Sequence, residues 1–202
     1  MRRFLAHTAL AAALLTPLLS HAQTTDVAGV KFANSVQVGS SKLQINGAGV
    51  RYKLVFKVYA AALYLTDKAT TPEAVYAAPG PRHLQIVMLR EIDANELGKL
   101  FTRGMEQNAS REEFTKSIAG IMRMSDIFSA RKKLVAGDSF SVEWVPGSGT
   151  VILVNGKPAS EPIKEPEFYT ALMKIWFGKS PADPQLKDAL LGKAAATPGG
   201  GT

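Results

Sequence analysis

Residues 46–67 read NGAGVRYKLVFKVYAAALYLTD, a stretch unlike ordinary scaffolding. It is an apolar run of Val, Phe, Tyr and Ala that opens on Gly47 and Gly49 and carries Arg51, Lys53 and Lys57. Such content predicts strand structure from Val50 to Leu65, and no Gly, Pro or Asn marks a turn within it. Glycines inside a strand mark a bulge or bend, where the chain curls and two segments approach closely. Beyond them the side chains alternate. Arg51, Lys53, Val55, Lys57, Tyr59, Ala61, Leu63 and Leu65 fall on one face, and Tyr52, Leu54, Phe56, Val58, Ala60, Ala62 and Tyr64 on the other. The first face begins cationic and becomes small and apolar. That is the make-up of a pocket holding an amphiphile's carboxylate at one end and its chain at the other. Plainer readings stand beside it. Lys53 and Lys57 read as solvated charges that discourage edge-to-edge pairing, and Arg51 as an ordinary surface or ion-paired arginine. Arg51 and Tyr59 also lie roughly 26 Å apart along an unbroken strand, so spacing alone does not bring them to one ligand.

On the N-terminal side, residues 29–45 alternate around a Gly39-Ser40-Ser41 turn and predict a hairpin. RHLQIVMLR, residues 82–90, is apolar on both sides in its middle and predicts a central, buried strand. The period then changes. Ile92, Leu97, Leu100, Phe101 and Met105 recur at helical spacing after an Asp93/Glu96 cap, and Ser110 with Glu113 caps a second helix that turns Phe114, Ile118, Ile121 and Met122 to one face. A third short helix is expected over 125–137, closed by Gly137. Strands return from Asp138, with Phe140, Val142 and Trp144 on one side and Ser139, Ser141 and Glu143 on the other. Pro146 to Gly149 forms a hairpin turn and Asn155-Gly156 a second turn. Two helices close the chain. One runs from near Pro166 with Phe168, Leu172, Ile175 and Trp176 inward, and one is capped by Asp183 with Pro184 at its first position. Strands and helices in blocks, without a βαβ rhythm, give an α+β domain with helices on one side of an antiparallel sheet.

The ends and the composition bound the biology. Arg2 and Arg3, an apolar run from Phe4 to Leu19 and Ser20-His21-Ala22 together make a secretory signal peptide over residues 1–22. The competing reading is an N-terminal anchor helix, against which the run is short and interrupted by Pro17. Residues 193–202, KAAATPGGGT, are expected to be a disordered tail. Between them lies one domain, 23–192, long enough to bury about 70% of its unfolded surface. The net charge of +7 falls to +5 without Arg2 and Arg3, and no basic stripe accompanies it, so nucleic acid is not an expected partner. Cysteine is absent, which removes disulfides and a lipoprotein anchor and places the exported chain in a periplasm, with release outside as second destination. His83 is the one histidine beyond the signal, so no His/Cys metal site is expected, and any Ser-His-Asp triad would have to use it. It reads as a surface histidine. A monomer without a membrane span and without a cofactor is expected.

NGAGVRYKLVFKVYAAALYL resembles the signature of the chalcone isomerase-like family, a Gly-x-Gly-x-Arg segment followed by a Lys-x-(Thr/Tyr)-x-x-(Gly/Ala)-x-Tyr-Leu strand. GDSFSVEWVPGSGTVILVNGK and IWFGKSPADPQLKDALLG, residues 137–157 and 175–192, stand where that family has its second hairpin and closing helices, so the likeness spans about residues 27–192 in a bacterial, secreted form. The resemblance implies an open-faced antiparallel β-sandwich with helices packed over one face. Plant members of the family close a chalcone to a flavanone with an arginine, a threonine on the next strand, and a tyrosine and an asparagine from a helix. Its fatty-acid-binding members keep the arginine and place a tyrosine at the threonine position. Carried over by motif, these are Arg51 and Tyr59, the binder's pair, and the resemblance implies a turn between them. Residues 92–105 contain no tyrosine, and Asn95 stands too early in the helix to match. Chalcone cyclisation thus lacks two oxyanion donors, and no catalytic residue is assigned. The expectation is a non-catalytic protein that binds a fatty acid or similar amphiphilic carboxylate through Arg51 and Tyr59. An isomerase or intramolecular lyase acting on a small aromatic or enone substrate, and an envelope accessory protein with a vestigial cleft, remain open alternatives.

Overall fold

The computed structural model describes residues 23–193. The signal-peptide and tail expectations fall on residues outside that range, Lys193 excepted. The chain runs β1 (Thr24–Val27), β2 (Val30–Ala33), β3 (Ser35–Val38), β4 (Ser41–Lys53), β5 (Phe56–Leu65), α1 (Pro72–Ala77) and β6 (Arg82–Met88). There follow β7 (Ile92–Asp93), α2 (Ala94–Asn108), α3 (Arg111–Lys116), α4 (Ile118–Ser129), β8 (Lys133–Leu134), β9 (Ser139–Val145), β10 (Gly149–Val154), β11 (Lys157–Pro158), α5 (Pro166–Phe177) and α6 (Pro184–Leu190). Seven strands form one antiparallel sheet in the order β11-β10-β9-β6-β5-β4-β3, with the helices over one face. This is the α+β open-faced architecture expected from block order and resemblance, with β6 near the sheet's middle.

Alternation along β5 builds both sides of the sheet. Tyr59, Ala61, Leu63 and Leu65 join the main core under the helices, while Ala60, Ala62 and Tyr64 join a second cluster with Phe32, Val38 and Leu43. Residues 30–33, expected within the 29–45 hairpin, pair instead with Thr24–Val27, and this β1–β2 ribbon supplies Phe32 to that second layer. Both faces are therefore packed along β5, and every residue from Val58 to Leu65 is buried. Helix α5 is apolar nearly all round and buries Phe168, Tyr169, Leu172, Met173, Ile175, Trp176 and Phe177, as a helix enclosed by its own domain does. Each such side chain contributes on the order of 1.5–3 kcal/mol of transfer free energy.

Gly47 and Gly49 act as close-approach positions. A Cβ on Gly47 would sit 2.0 Å from the Ala189 carbonyl oxygen, and one on Gly49 would sit 2.6 Å from the Ala189 Cβ. Their bare backbone lets α6 lie directly on β4, and the ladder to β5 shifts register at Ile45/Gly47 as a bulge there requires. Asn46 fixes the arrangement: its amide donates to the carbonyls of Ala69 and Leu190 and accepts from the Ala69 N–H, all at 2.8 Å. The caps stand as read, with Asp93 on α2, a Ser110/Glu113 capping box on α3, and Asp183 with Pro184 on α6.

The turn between Arg51 and Tyr59 that the resemblance implies is present: β4 and β5 form a hairpin through Leu54 and Val55, with Leu54 in the left-handed region at φ 56°. Three local expectations are corrected. The helix begun at Ser110 breaks at the buried Ser117, whose hydroxyl donates to the Glu113 carbonyl, and α4 presents Ile118 and Met122 to solvent. The segment expected as a third helix starts inside α4 and ends as β8, paired with β7. His83 is buried, its Nδ1 2.8 Å from Glu143 Oε1 on β9 and its ring edge-on to Tyr64. A cross-strand carboxylate and an aromatic neighbour make that burial possible for a polar ring.

Candidate functional site

The β4–β5 hairpin brings Arg51 and Tyr59 directly opposite each other. Counting back from the turn, Lys53 faces Phe56 and Tyr52 faces Lys57, so an even ladder would set Arg51 against Val58. A register shift between Arg51 and Tyr52 leaves Val58 as the extra residue and hands Arg51 to Tyr59 instead. The bulge thus selects the pair. The Arg51 guanidinium carbon lies 5.5 Å from the Tyr59 ring centroid, within cation–π range. Lys53 and Lys57, on the outer part of the hairpin, are exposed and take no part in the site.

Tyr59 is buried at 1% exposure, and its hydroxyl oxygen accepts the Trp176 indole N–H at 2.8 Å. Burial raises the phenol's pKa, and the opposing pull of Arg51 and of the Trp176 hydrogen bond does not reverse it. The hydroxyl therefore keeps its proton at neutral pH, and among the described residues that proton has no acceptor. Arg51 is half-buried; its Nε is out of reach of solvent and has no partner, and no carboxylate of the described residues pairs with it. Buried guanidinium groups ordinarily take two or more acceptors, so this is an unfilled donor set.

Both side chains open into a cavity of about 240 Å³ between α2, α5 and residues 180–182. Helix α2 contributes Leu100, Phe101, Arg103, Gly104 and Gln107, α5 contributes Ile175, and the connection before α6 contributes Ser180, Pro181 and Ala182. No acidic side chain lines it. Asp183 stands just behind, with one carboxylate oxygen accepting from the Tyr52 N–H at 2.8 Å and the other capping α6 through Gln185 and Leu186. Its charge is thereby tied to backbone donors. Two cations, a neutral phenol and a carboxamide around an acid-free hollow are donors of the kind that an anionic head group would take. A larger depression of about 800 Å³ lies between α4 and β11, but its lining includes Asp126 and none of these buried donors.

The structure brings together both residues singled out by motif. The sequence reading missed Arg103, Gln107 and Trp176, although positions 100, 103, 104 and 107 form an i, i+3, i+4, i+7 stripe on α2 that a search for apolar positions alone passes over. Asn108 is also on α2, but its amide donates to the carbonyls of Gly104 and Ser180 and accepts from the Ser180 N–H, so it is committed to holding the loop. Neither a tyrosine nor a free asparagine from α2 reaches the cavity. Among the described residues no group of His, Cys, Asp and Glu is arranged to hold a metal ion, and no helix is long and apolar enough to cross a membrane.

A family model described as chalcone isomerase-like matches residues 24–192. Among solved structures the fold is similar to that of a fatty-acid binding protein of Arabidopsis thaliana, with a TM-score of 0.62 and 12% sequence identity, over 81% of this chain and 92% of that one. At that identity the likeness is one of fold. No curated protein matches the sequence.

Proposed function

The chain belongs to the chalcone isomerase-like family, and from that premise we propose that it is an exported, periplasmic, non-catalytic protein whose cavity binds a fatty acid or similar amphiphilic carboxylate. One observation carries this reading: the buried Arg51 Nε without an acceptor, facing an acid-free hollow shared with the Tyr59 hydroxyl. A carboxylate would accept from both donors and relieve the unmatched desolvation of the guanidinium. Arg103 and Gln107 at the mouth would add charge and a further donor. The Arabidopsis neighbour of like fold is itself a fatty-acid binding protein, which agrees with the proposal. Export is supported by the sequence of residues 1–22 alone.

The size of the cavity shapes the proposal. At about 240 Å³ it falls below the roughly 300 Å³ at which ligand pockets begin, so in this state it takes a head group and a short length of chain. A longer chain requires α2 and α5 to part where Gly104 meets Ile175. The same small volume favours, as second reading, an accessory protein whose cleft is vestigial. An isomerase is the poorer reading, because the Asn108 amide is occupied and, among the described residues, no second phenol lines the cavity.

The test is native mass spectrometry of the mature protein purified from a periplasm without detergent, beside Arg51→Ala. A discrete adduct of fatty-acid mass on the wild type, absent from the variant, is the expected result. If neither protein carries a ligand nor takes one up on titration with octanoate and palmitate, the binding reading falls and the vestigial one stands.

A further inference from the structure

The hairpin that carries Arg51 and Tyr59 ends in a tip that the cavity does not use. Residues 52–57, YKLVFK, are all exposed, with Leu54 at 89%, Val55 at 82%, Phe56 at 55% and Tyr52 at 39%. Among the described residues the exposed large apolar side chains gather here, with Ile118, Met122 and Val135 the others. The loop itself is costly. A two-residue hairpin loop with positive φ at its first position suits Gly, Asn or Asp, yet Leu54 holds that position at φ 56°. An apolar residue is thus kept, against backbone preference, where it is bare to water.

Cations ring this finger. Lys53 and Lys57 flank it, and the Arg90 guanidinium stacks 5.0 Å from the centroid of the Phe56 ring. No acidic residue lies between Asn46 and Thr66, and Lys53, Lys57 and Arg90 enter no salt bridge with a described residue. An apolar tip collared by unpaired cations is complementary to an anionic bilayer surface, whose acyl boundary accepts Leu, Val and Phe while its phosphates accept Lys and Arg. A convex two-residue tip offers little to a protein partner, since stable protein contacts bury on the order of 1,200 Å² or more.

We propose that the 52–57 tip docks this protein on an anionic phospholipid surface, with Leu54, Val55 and Phe56 in the interfacial layer and Lys53, Lys57 and Arg90 on the headgroup phosphates. The inference goes beyond the cavity and holds whatever the cavity carries. Docking by this tip sets Arg51, one residue behind Tyr52, beside the lipid surface.

The experiment is flotation of the mature protein with phosphatidylethanolamine–phosphatidylglycerol vesicles and, separately, with phosphatidylcholine vesicles. Leu54→Gly/Val55→Asn is the variant of choice, because glycine adopts the left-handed conformation freely and the hairpin is retained, which circular dichroism checks. The wild type is expected to bind the anionic vesicles about tenfold or more tightly than the neutral ones, and the double variant to lose about tenfold on the anionic ones. Lys53→Gln/Lys57→Gln is expected to erase the preference for anionic lipid, as is about 1 M salt, where the screening length falls to about 3 Å. Equal binding by the wild type and the folded Leu54→Gly/Val55→Asn variant overturns the proposal. So does a wild type that binds neither vesicle but self-associates through the tip, which would make it a contact between copies.

Discussion

Two arginines of this molecule sit over aromatic rings on the helix side of one sheet, and both have a buried Nε without an acceptor. Arg82 is clasped between Trp144 and Tyr169, 5.5 and 5.0 Å from their centroids, and its Nη1 donates to the Tyr76 carbonyl at 2.7 Å. Two rings and a carbonyl of the protein take up its guanidinium. Burial lowers its pKa, yet it remains a cation that fastens β6 to α1 and α5. Arg51 stacks on one ring and donates to nothing among the described residues, and in front of it lies a cavity. An orphaned Nε therefore does not mark a site by itself. The hollow beside Arg51 is what carries the proposal, because there a ligand could supply the missing acceptor.

Exchanging the two residues' fates is the sharpest way to test that difference. Arg51→Ala is expected to weaken carboxylate binding by about 100-fold or more, the loss that follows truncation of a buried hydrogen-bonded charge pair, with the thermal midpoint held within a few degrees. Calorimetric titration with octanoate reads the first effect and differential scanning calorimetry the second. Arg82→Ala is expected to do the reverse, costing about 2–3 kcal/mol of stability in denaturant melts through the unpaired Tyr76 carbonyl and the void between two rings, with affinity retained. If Arg82→Ala abolished binding while Arg51→Ala did not, the assignment of roles would be inverted.

Tyr59→Phe lies between these extremes. It removes the phenol proton offered to the ligand and leaves the Trp176 N–H without its acceptor. About a tenfold loss of affinity and a stability loss of about 1 kcal/mol are expected together, measured on the same preparation. The smallest effect is one of pH. Burial raises the phenol pKa of Tyr59 and Tyr169, and that of Tyr64 to about 12. A folded-state value above the unfolded one, about 10, favours the protonated fold, so this stability is complete below pH 10 and is lost as pH rises through the folded values. The denaturation midpoint should be flat from pH 7 to about 10 and fall beyond it, with the 295 nm phenolate signal rising along with unfolding.

How much of this was legible in the sequence depends on whether the signal was local. The caps at Asp93, Ser110 and Asp183, the Pro146–Gly149 turn and the buried face of α5 were all readable, because each depends on residues a few positions apart. Block order gave α+β, and the Gly-x-Gly-x-Arg segment gave the family. The Leu54–Val55 turn was hidden because it uses neither Gly, Asn nor Pro; tertiary pairing of β4 with β5 holds a leucine in the left-handed region. For the same reason the Arg51–Tyr59 pairing was reachable only through resemblance. The bulge at Val58 that creates it is a matter of register, which composition does not encode. His83 was misplaced because its partner, Glu143, is sixty residues away on another strand. Arg103 and Gln107 escaped because they share a helix face with Leu100 and Gly104, and only the fold shows that this face looks into a cavity.

On the proposed function, Arg51 and Tyr59 hold an ionised head group. The most direct measurement is the ¹³C resonance of carboxyl-labelled octanoate bound to the mature protein, followed as pH is lowered. The bound carboxyl is expected to stay ionised, its resonance unmoved, to well below the pH at which free octanoate titrates in the same buffer, because the guanidinium and the phenol proton both favour the anion. A bound carboxyl that titrates at or above that pH, or octanoate that never leaves its free position, would contradict the proposal.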